Sequence, residues 1–201
     1  MTASPSPPAH VDYPGPTESA IPLEVALSHR RSVREFAARP LTDAEIGQLL
    51  WAAQGVTADW GGRTAPSAGA LYPLEVHGVT SRRALHYVPE DHRAEVTTER
   101  DLRPALMAAA LDQESIGQAP FVIAVVAVPS RTARYGDRAR RYVDLEAGHA
   151  AQNVLLQAVA MNLVAVPIGA FDDDAVARVL ALPDGHEPRY LLPVGHPRSG
   201  I

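Results

Sequence analysis

The chain has 201 residues, 46% of them hydrophobic and 20% charged, with a formal net charge of −5. That suits one compact domain with a full apolar core, and it leaves too little basic charge to follow a nucleic-acid backbone. Cysteine is absent, which excludes disulfides, thiol nucleophiles, iron–sulfur ligation and cysteine zinc sites, so redox chemistry would require a bound cofactor.

Residues 1–20 hold Pro5, Pro7, Pro8, Pro14 and Pro16 among small polar neighbours. They lack the basic start and apolar centre of a secretory signal. A disordered arm outside the fold of a soluble, cytoplasmic protein is expected there, followed by a single folded domain over 21–201. That domain opens with Leu23, Ala26 and Leu27 at helical spacing, ahead of a basic cluster at Arg30, Arg31 and Arg34. Thr42 followed by Glu45 is a capping box. Ile46, Leu49, Leu50 and Ala53 share the face behind it, and Gly55 is placed to stop the helix. Residues 57–73 contain Gly61, Gly62, Pro66, Gly69 and Pro73, the composition of a loop whose backbone approaches something closely.

Leu74–Thr80 and Ala84–Val88 read as strands, and 101–111 as a helix rich in alanine and leucine. Phe121–Val128 is almost wholly β-branched or apolar, the pattern of a central strand buried on both faces. It is also among the longest strongly apolar runs, far below the roughly 20 residues of a membrane helix. The longest helix is expected from Tyr142 to Asn162, with Glu146, His149, Asn153 and Gln157 forming one polar stripe on an apolar cylinder. Leu163–Ile168 and Tyr190–Val194 are further strands, separated by a short helix that Asp172, Asp173 or Asp174 would cap. Helices mixed with strands in this way indicate a layered α+β domain.

Several constellations carry chemistry. Arg30, Arg31, Ser32 and Arg34 place three guanidinium groups and a hydroxyl within five residues, a set that matches phosphate oxygens; a solvated basic turn is the alternative. The uncharged stretch Ala65-Pro66-Ser67-Ala68-Gly69-Ala70-Leu71-Tyr72-Pro73 offers backbone amides and a hydroxyl to a flat ring, or is an ordinary turn. It is neither a Walker loop nor a dinucleotide fingerprint. Glu146 and His149 have the spacing of di-iron carboxylate sites, but the second such pair is missing. No metal is expected, and His149 reads as a buried hydrogen-bonded histidine or a pocket wall. Gly169 in Pro167-Ile168-Gly169-Ala170-Phe171 would present its N–H to a ligand edge without a side chain in the way, or serve the turn alone. Arg134, Tyr135 and Tyr142 fall in a polar stretch before the long helix, and no serine sits in a nucleophile elbow.

In this order, Arg30-Arg31-Ser32-Val33-Arg34-Glu35-Phe36, Pro66 to Pro73, Leu145-Glu146-Ala147-Gly148-His149, Val166 to Phe171 and Val194-Gly195-His196-Pro197 resemble the FMN-dependent nitroreductase superfamily. Within it, they resemble the SagB-type dehydrogenase branch that includes thiazoline and oxazoline oxidases. The resemblance runs from about Ile21 to Pro197. It implies an α+β fold, a mixed sheet flanked by helices, with a long central helix at a homodimer interface. It also implies FMN held by Arg30, Arg31, Ser32 and Arg34, with Arg198 as a late addition. Pro66, Ser67, Ala68, Gly69 and Leu71 would reach the flavin from the other subunit, and Pro167, Ile168 and Gly169 would lie near N5. Tyr135, Tyr142 and His149 become the candidates for moving the proton that accompanies hydride.

The sequence departs from azoline oxidases at Arg134, which stands where a lysine of a Lys-Tyr pair is common; arginine stays protonated and cannot be a base. The extra N-terminal domain of some peptide-modifying members is not expected here, and a small molecule or a carrier-bound intermediate is expected beside a peptide as substrate. The expected activity moves a hydride between such a substrate and flavin. The alternatives are an NAD(P)H-dependent nitro, quinone or alkene reductase, and a flavin-binding scaffold without turnover.

Overall fold

The computed structural model describes residues 8–198. Its centre is a seven-stranded sheet in the order β1-β4-β3-β2-β5-β7-β6, formed by His10–Asp12 (β1), Leu74–Thr80 (β2), Ala84–Val88 (β3), Arg93–Thr98 (β4), Phe121–Ala127 (β5), Val164–Ala165 (β6) and Glu187–Gly195 (β7). The pairings between these strands are antiparallel. A parallel contribution enters through the bridge of Ser32 to Ala165, so the expected mixed character is confined to the β6 edge.

Helices cover both faces: Leu23–His29 (α1), Asp43–Gln54 (α2), Arg103–Ala109 (α3), Glu114–Gln118 (α4), Ala139–Ala160 (α5) and Asp173–Val179 (α6). Strand β5 explains why. Its side chains alternate by strand geometry: Phe121, Ile123, Val125 and Ala127 join Leu49, Leu50, Ala147, Ala150 and Val154 of α2 and α5 in one core. Val122, Ala124 and Val126 join Leu106, Ile116 and Val176 of α3, α4 and α6 in a second. Helix α2 begins with the expected capping box, Thr42 Oγ1 accepting from Glu45 N while the Glu45 carboxylate accepts from Thr42 N. Among the described residues, no helix is long and apolar enough to cross a membrane.

The expected arm requires correction. Residues 1–7 lie outside the described residues, but from His10 onward the segment is part of the fold. His10–Asp12 pairs with Glu95–Arg93 of β4, Tyr13 is buried, and Thr17 N donates to Gln48 Oε1 at 2.8 Å. The physical reason is that Val11 and Tyr13 find apolar cover against the core, and three residues suffice for an edge strand. Strand β4 and helix α4 were not expected; both are short and largely polar, so their periodicity is weak. The strand expected over Leu163–Ile168 is shorter, because Pro167 carries no N–H and interrupts the ladder, leaving Ile168 to pair alone with Leu191.

Gly78 of β2 sits beneath the fully buried Phe121, where a Cβ would stand 2.7 Å from Cε2 of the ring. Gly78→Ala is expected to cost about 1–3 kcal/mol through overpacking, read as a lower midpoint in thermal unfolding. An unchanged midpoint would show that the ring yields freely.

Candidate active site

The loop at Pro66–Pro73 is held by its own polar atoms before anything else touches it. Ser67 is extended, Ala68–Ala70 form a 3-10 turn, and Ser67 Oγ accepts from Tyr72 N at 2.9 Å. Gly69 has φ +64°, and a Cβ there would collide with the Arg134 guanidinium and the Tyr135 hydroxyl. Backbone conformation and close approach therefore both require glycine. Arg134 Nη2 donates to Gly69 O at 3.4 Å and to the Tyr135 hydroxyl at 3.1 Å, and its guanidinium lies over the Tyr135 ring at 5.0 Å. Tyr135 and Tyr142 meet edge to face with centroids 5.1 Å apart. The stretch Pro129–Arg138 that carries Arg134 and Tyr135 is a series of 3-10 turns broken at Gly136.

Arg131 fixes this stretch to the sheet: its Nη1 donates to Tyr72 O at 3.0 Å, and its Nη2 pairs with Glu75. His86 Nε2 meets the same carboxylate at 2.6 Å. Burial alone would raise the Glu75 carboxyl, but the His86 hydrogen bond and the Arg131 charge bring it down to about 2.

Beneath the loop lies Glu146 of α5, 2% exposed, with neither carboxylate oxygen in hydrogen-bond geometry. Gln54 Nε2 is likewise buried and unpartnered, while Gln54 Oε1 accepts from Arg63 Nη1 at 3.1 Å and Arg63 Nη2 reaches Glu90 at 2.8 Å. Burial pushes the Glu146 carboxyl up to about 7, and the nearby Ser67 hydroxyl, Arg63 charge and Gln54 amide oppose the shift only in part. The expectation of a buried, hydrogen-bonded His149 requires correction. His149 is exposed and the carboxylate is interior, because α5 turns residue 146 toward α2 and residue 149 outward. Among the described residues, no group of three or more His, Cys, Asp or Glu is arranged to hold a metal ion.

A second cluster lies at β6. Residues 30–34 run beside it, with Val33 N donating to Ala165 O at 3.0 Å. Arg30 and Arg31 line a cleft with Leu155, Val159 and Val164, whereas Arg34 lines a different one, of about 460 Å³, with Arg198, Gln113 and Gln118. Ser32 is exposed and engaged through its backbone to Ala165, so the three guanidinium groups do not converge on one point in a single chain. The turn Pro167-Ile168-Gly169 adjoins the second cleft: Ile168 pairs with Leu191, Gly169 is exposed, and Gln113 Nε2 donates to Ala170 O at 2.8 Å. Pro66, Ser67, Ala68 and Gly69 stand apart from this cluster, over Glu146 and Tyr135, and Leu71 lines a cleft with Arg63 and Arg131. Sequence reasoning missed Gln54, Arg63 and Gln113 as members of these clusters. For Gln54, the signal available was a polar residue in the last turn of an apolar helix.

The antiparallel sheet with helices on both faces thus carries an arginine-lined cleft beside β6 and a tyrosine-backed glycine loop. The chain belongs to the Nitroreductase family, whose pattern matches residues 27–196. It is 42% identical over 188 residues to the protein named nitroreductase MJ1384 of Methanocaldococcus jannaschii, covering 90% of this chain and 93% of that one. A crystal structure from Ralstonia eutropha JMP134, also named as a nitroreductase, superposes with TM-score 0.87 at 28% identity, over 99% of this chain and 97% of that chain. A chain of the Escherichia coli microcin synthetase McbBCD complex, solved with truncated pro-MccB17 bound, shares the fold. Its TM-score is 0.72 at 22% identity, over 87% of this chain and 73% of that one.

A carboxyl whose pKa is raised in the fold keeps its proton there while the unfolded chain gives it up. Stability is therefore lost as pH rises from about 4.5 to about 7. Glu146→Gln is expected to match the wild type near pH 4.5 and to be more stable at pH 8 by on the order of 3 kcal/mol, read from urea unfolding midpoints. Equal midpoints at pH 8 would mean that the carboxyl is solvated.

Proposed function

We propose that the protein is a homodimeric FMN-dependent oxidoreductase of the SagB-type dehydrogenase kind, acting in the cytoplasm. It moves a hydride between flavin and a biosynthetic substrate, an azoline or a related small molecule or a carrier- or peptide-bound intermediate. The observation that carries this reading is the division of the chain's functional residues into two half-sites. One comprises Arg34, Arg198, Gln113 and the exposed Gly169 turn; the other comprises the Pro66–Gly69 loop with Tyr135 and Tyr142. A two-fold partner would set the loop of one protomer against the arginine cleft of the other. Exposed Leu23, Leu27 and Leu145 at 60%, 52% and 56%, and the apolar cleft of about 310 Å³ between α1, α2 and α5, offer the surface for such an association.

The residues present fit the cofactor. Arg34 enters none of the ion pairs among the described residues, so its guanidinium group is free for a phosphate; Arg198 in the same cleft pairs with Glu35 at 3.0 Å, and Arg30, likewise outside those ion pairs, lines the cleft beside β6. Gly169 leaves room for a ring edge against backbone. When bound, FMN supplies the group that accepts and returns the hydride. The protein's part is to hold substrate over that ring and to handle the proton. Tyr135, whose hydroxyl is fixed by Arg134 beside Gly69, is the group placed for this, with Tyr142 packed against it. The Arg134 guanidinium orients the hydroxyl. His149, exposed on α5, would act only if the partner protomer brought substrate to it. The fold shared with the microcin synthetase chain is in keeping with a peptide- or carrier-borne substrate.

A second reading, an NAD(P)H-driven reductase, is favoured by the name of the relative at 42% identity. Anaerobic mixing of FMN-loaded protein with NADH or NADPH separates the two: no bleaching of the yellow colour is expected, and rapid bleaching would establish the reductase.

Arg34→Ala is expected to weaken FMN binding by roughly 1.5–3 kcal/mol, the worth of a charge-assisted hydrogen bond, measured as flavin retained through gel filtration. Full retention by both Arg34→Ala and Arg30→Ala would place the phosphate elsewhere.

A further inference from the structure

The proposed reaction leaves the one buried carboxyl among the described residues without a task. Glu146 sits mid-face on α5, closed off from water, with two oxygens lacking partners, and the Gln54 amide nitrogen beside it lacks one too. An isolated carboxylate in such a place is costly, and an apolar residue of similar size would serve the packing better. The groups around it show what the carboxyl can do. Ser67 presents its hydroxyl from the loop, Gln54 its amide from α2, and Arg63 its charge from the segment before the loop. Ser67 Oγ already accepts from Tyr72 N; this bond closes the loop, so whatever orients Ser67 orients Pro66–Gly69.

We propose that Glu146 is a positioning residue: in its neutral form it joins Gln54 to Ser67 and thereby sets the Pro66–Gly69 loop in the conformation that meets the flavin. This rests on the reading of that loop as flavin-facing. Burial is what favours the neutral form. A protonated carboxyl offers one O–H to Ser67 Oγ and one carbonyl oxygen to Gln54 Nε2, which answers every orphaned atom of the set. The ionised form can only accept, from the Ser67 hydroxyl and from Gln54 Nε2, so the Ser67 proton turns toward it and its unsolvated charge draws on Arg63, which Gln54 and Glu90 already hold. Arg63 is the charged group acting on Glu146 from outside its helix. On α5 itself, Tyr142 and His149 stand one turn to either side. Because the carboxyl is buried and raised to about 7, the two arrangements exchange within the ordinary working range of pH.

The test uses the full chain, first without flavin. Amide hydrogen exchange over residues 65–73 is measured from pH 5.5 to 8.5 and corrected for intrinsic rates, in the wild type, Glu146→Gln and Ser67→Ala. Protection in the wild type is expected to fall about tenfold through neutral pH, the worth of one hydrogen bond, to stay high throughout in Glu146→Gln, and to be low throughout in Ser67→Ala. Parallel profiles for the wild type and Glu146→Gln would overturn the proposal, as would full protection in Ser67→Ala. FMN titration by fluorescence quenching then follows the same three proteins. A dissociation constant that rises with pH in the wild type and stays level in Glu146→Gln supports the link to the flavin, and level profiles in both would break that link. Failure of the wild type to bind FMN at any pH would instead refute the proposed function, and the exchange experiment would still decide what Glu146 does.

Discussion

Strand β5 has no polar side chain and no exposed residue along Phe121–Ala127, so the sheet has to be covered on both faces. Covering both faces fixes much else. It places α2 and α5 on one side and α3, α4 and α6 on the other, and it obliges the chain to cross the sheet edges through loops. Two of those loops carry the candidate site: the connection from α2 to β2 delivers Pro66–Gly69, and the connection from β6 to α6 delivers Pro167–Gly169. At about 25 cal/mol per Å² of apolar area removed from water, burial of this kind dominates the folding energy, and the loops are set by a scaffold far more rigid than themselves.

The polar groups follow from that scaffold. Arg131 and His86 converge on Glu75 because β2 and β3 pair in the register that sets His77 opposite His86, and their convergence ties the 3-10 stretch to the end of the loop. Tyr135 then has little freedom, caught between Arg134, Gly69 and the edge of Tyr142. Glu146 is buried because its turn of α5 faces α2, where Gln54 and Arg63 lie beside it. The protein thus holds one carboxyl low, through the His86 hydrogen bond and the Arg131 charge, and another high, through burial.

Much of the fold was legible in the residues. The strands Leu74–Thr80 and Ala84–Val88 have the bounds that alternation and turn residues suggested, and the capping box at Thr42 and Glu45 forms as written. These are local signals, carried by side-chain period and by hydrogen bonds within four residues. The N-terminal segment was misread for the complementary reason: proline content speaks against regular structure locally, while the pairing of His10–Asp12 with β4 and the burial of Tyr13 depend on residues some eighty positions away. Helix α4 and strand β4 escaped because polar segments at the rim owe their form to what they pack against.

The candidate site divides along the same line. The amino-acid order alone marked the segments proposed to carry chemistry: a basic strip at 30–34, a small-residue loop at 66–69, a glycine turn at 167–169 and a polar stripe on the long helix. Each is written in consecutive residues, and consecutive residues share an environment in any fold. Only the tertiary arrangement decided that Gly69 faces Arg134 and Tyr135, that Arg34 and Arg198 share a cleft while Arg30 and Arg31 line another, and that Glu146 rather than His149 points inward. Those facts depend on the angle at which α5 lies against α2 and on the strand order of the sheet. Packing sets both, through contacts between residues far apart in the chain.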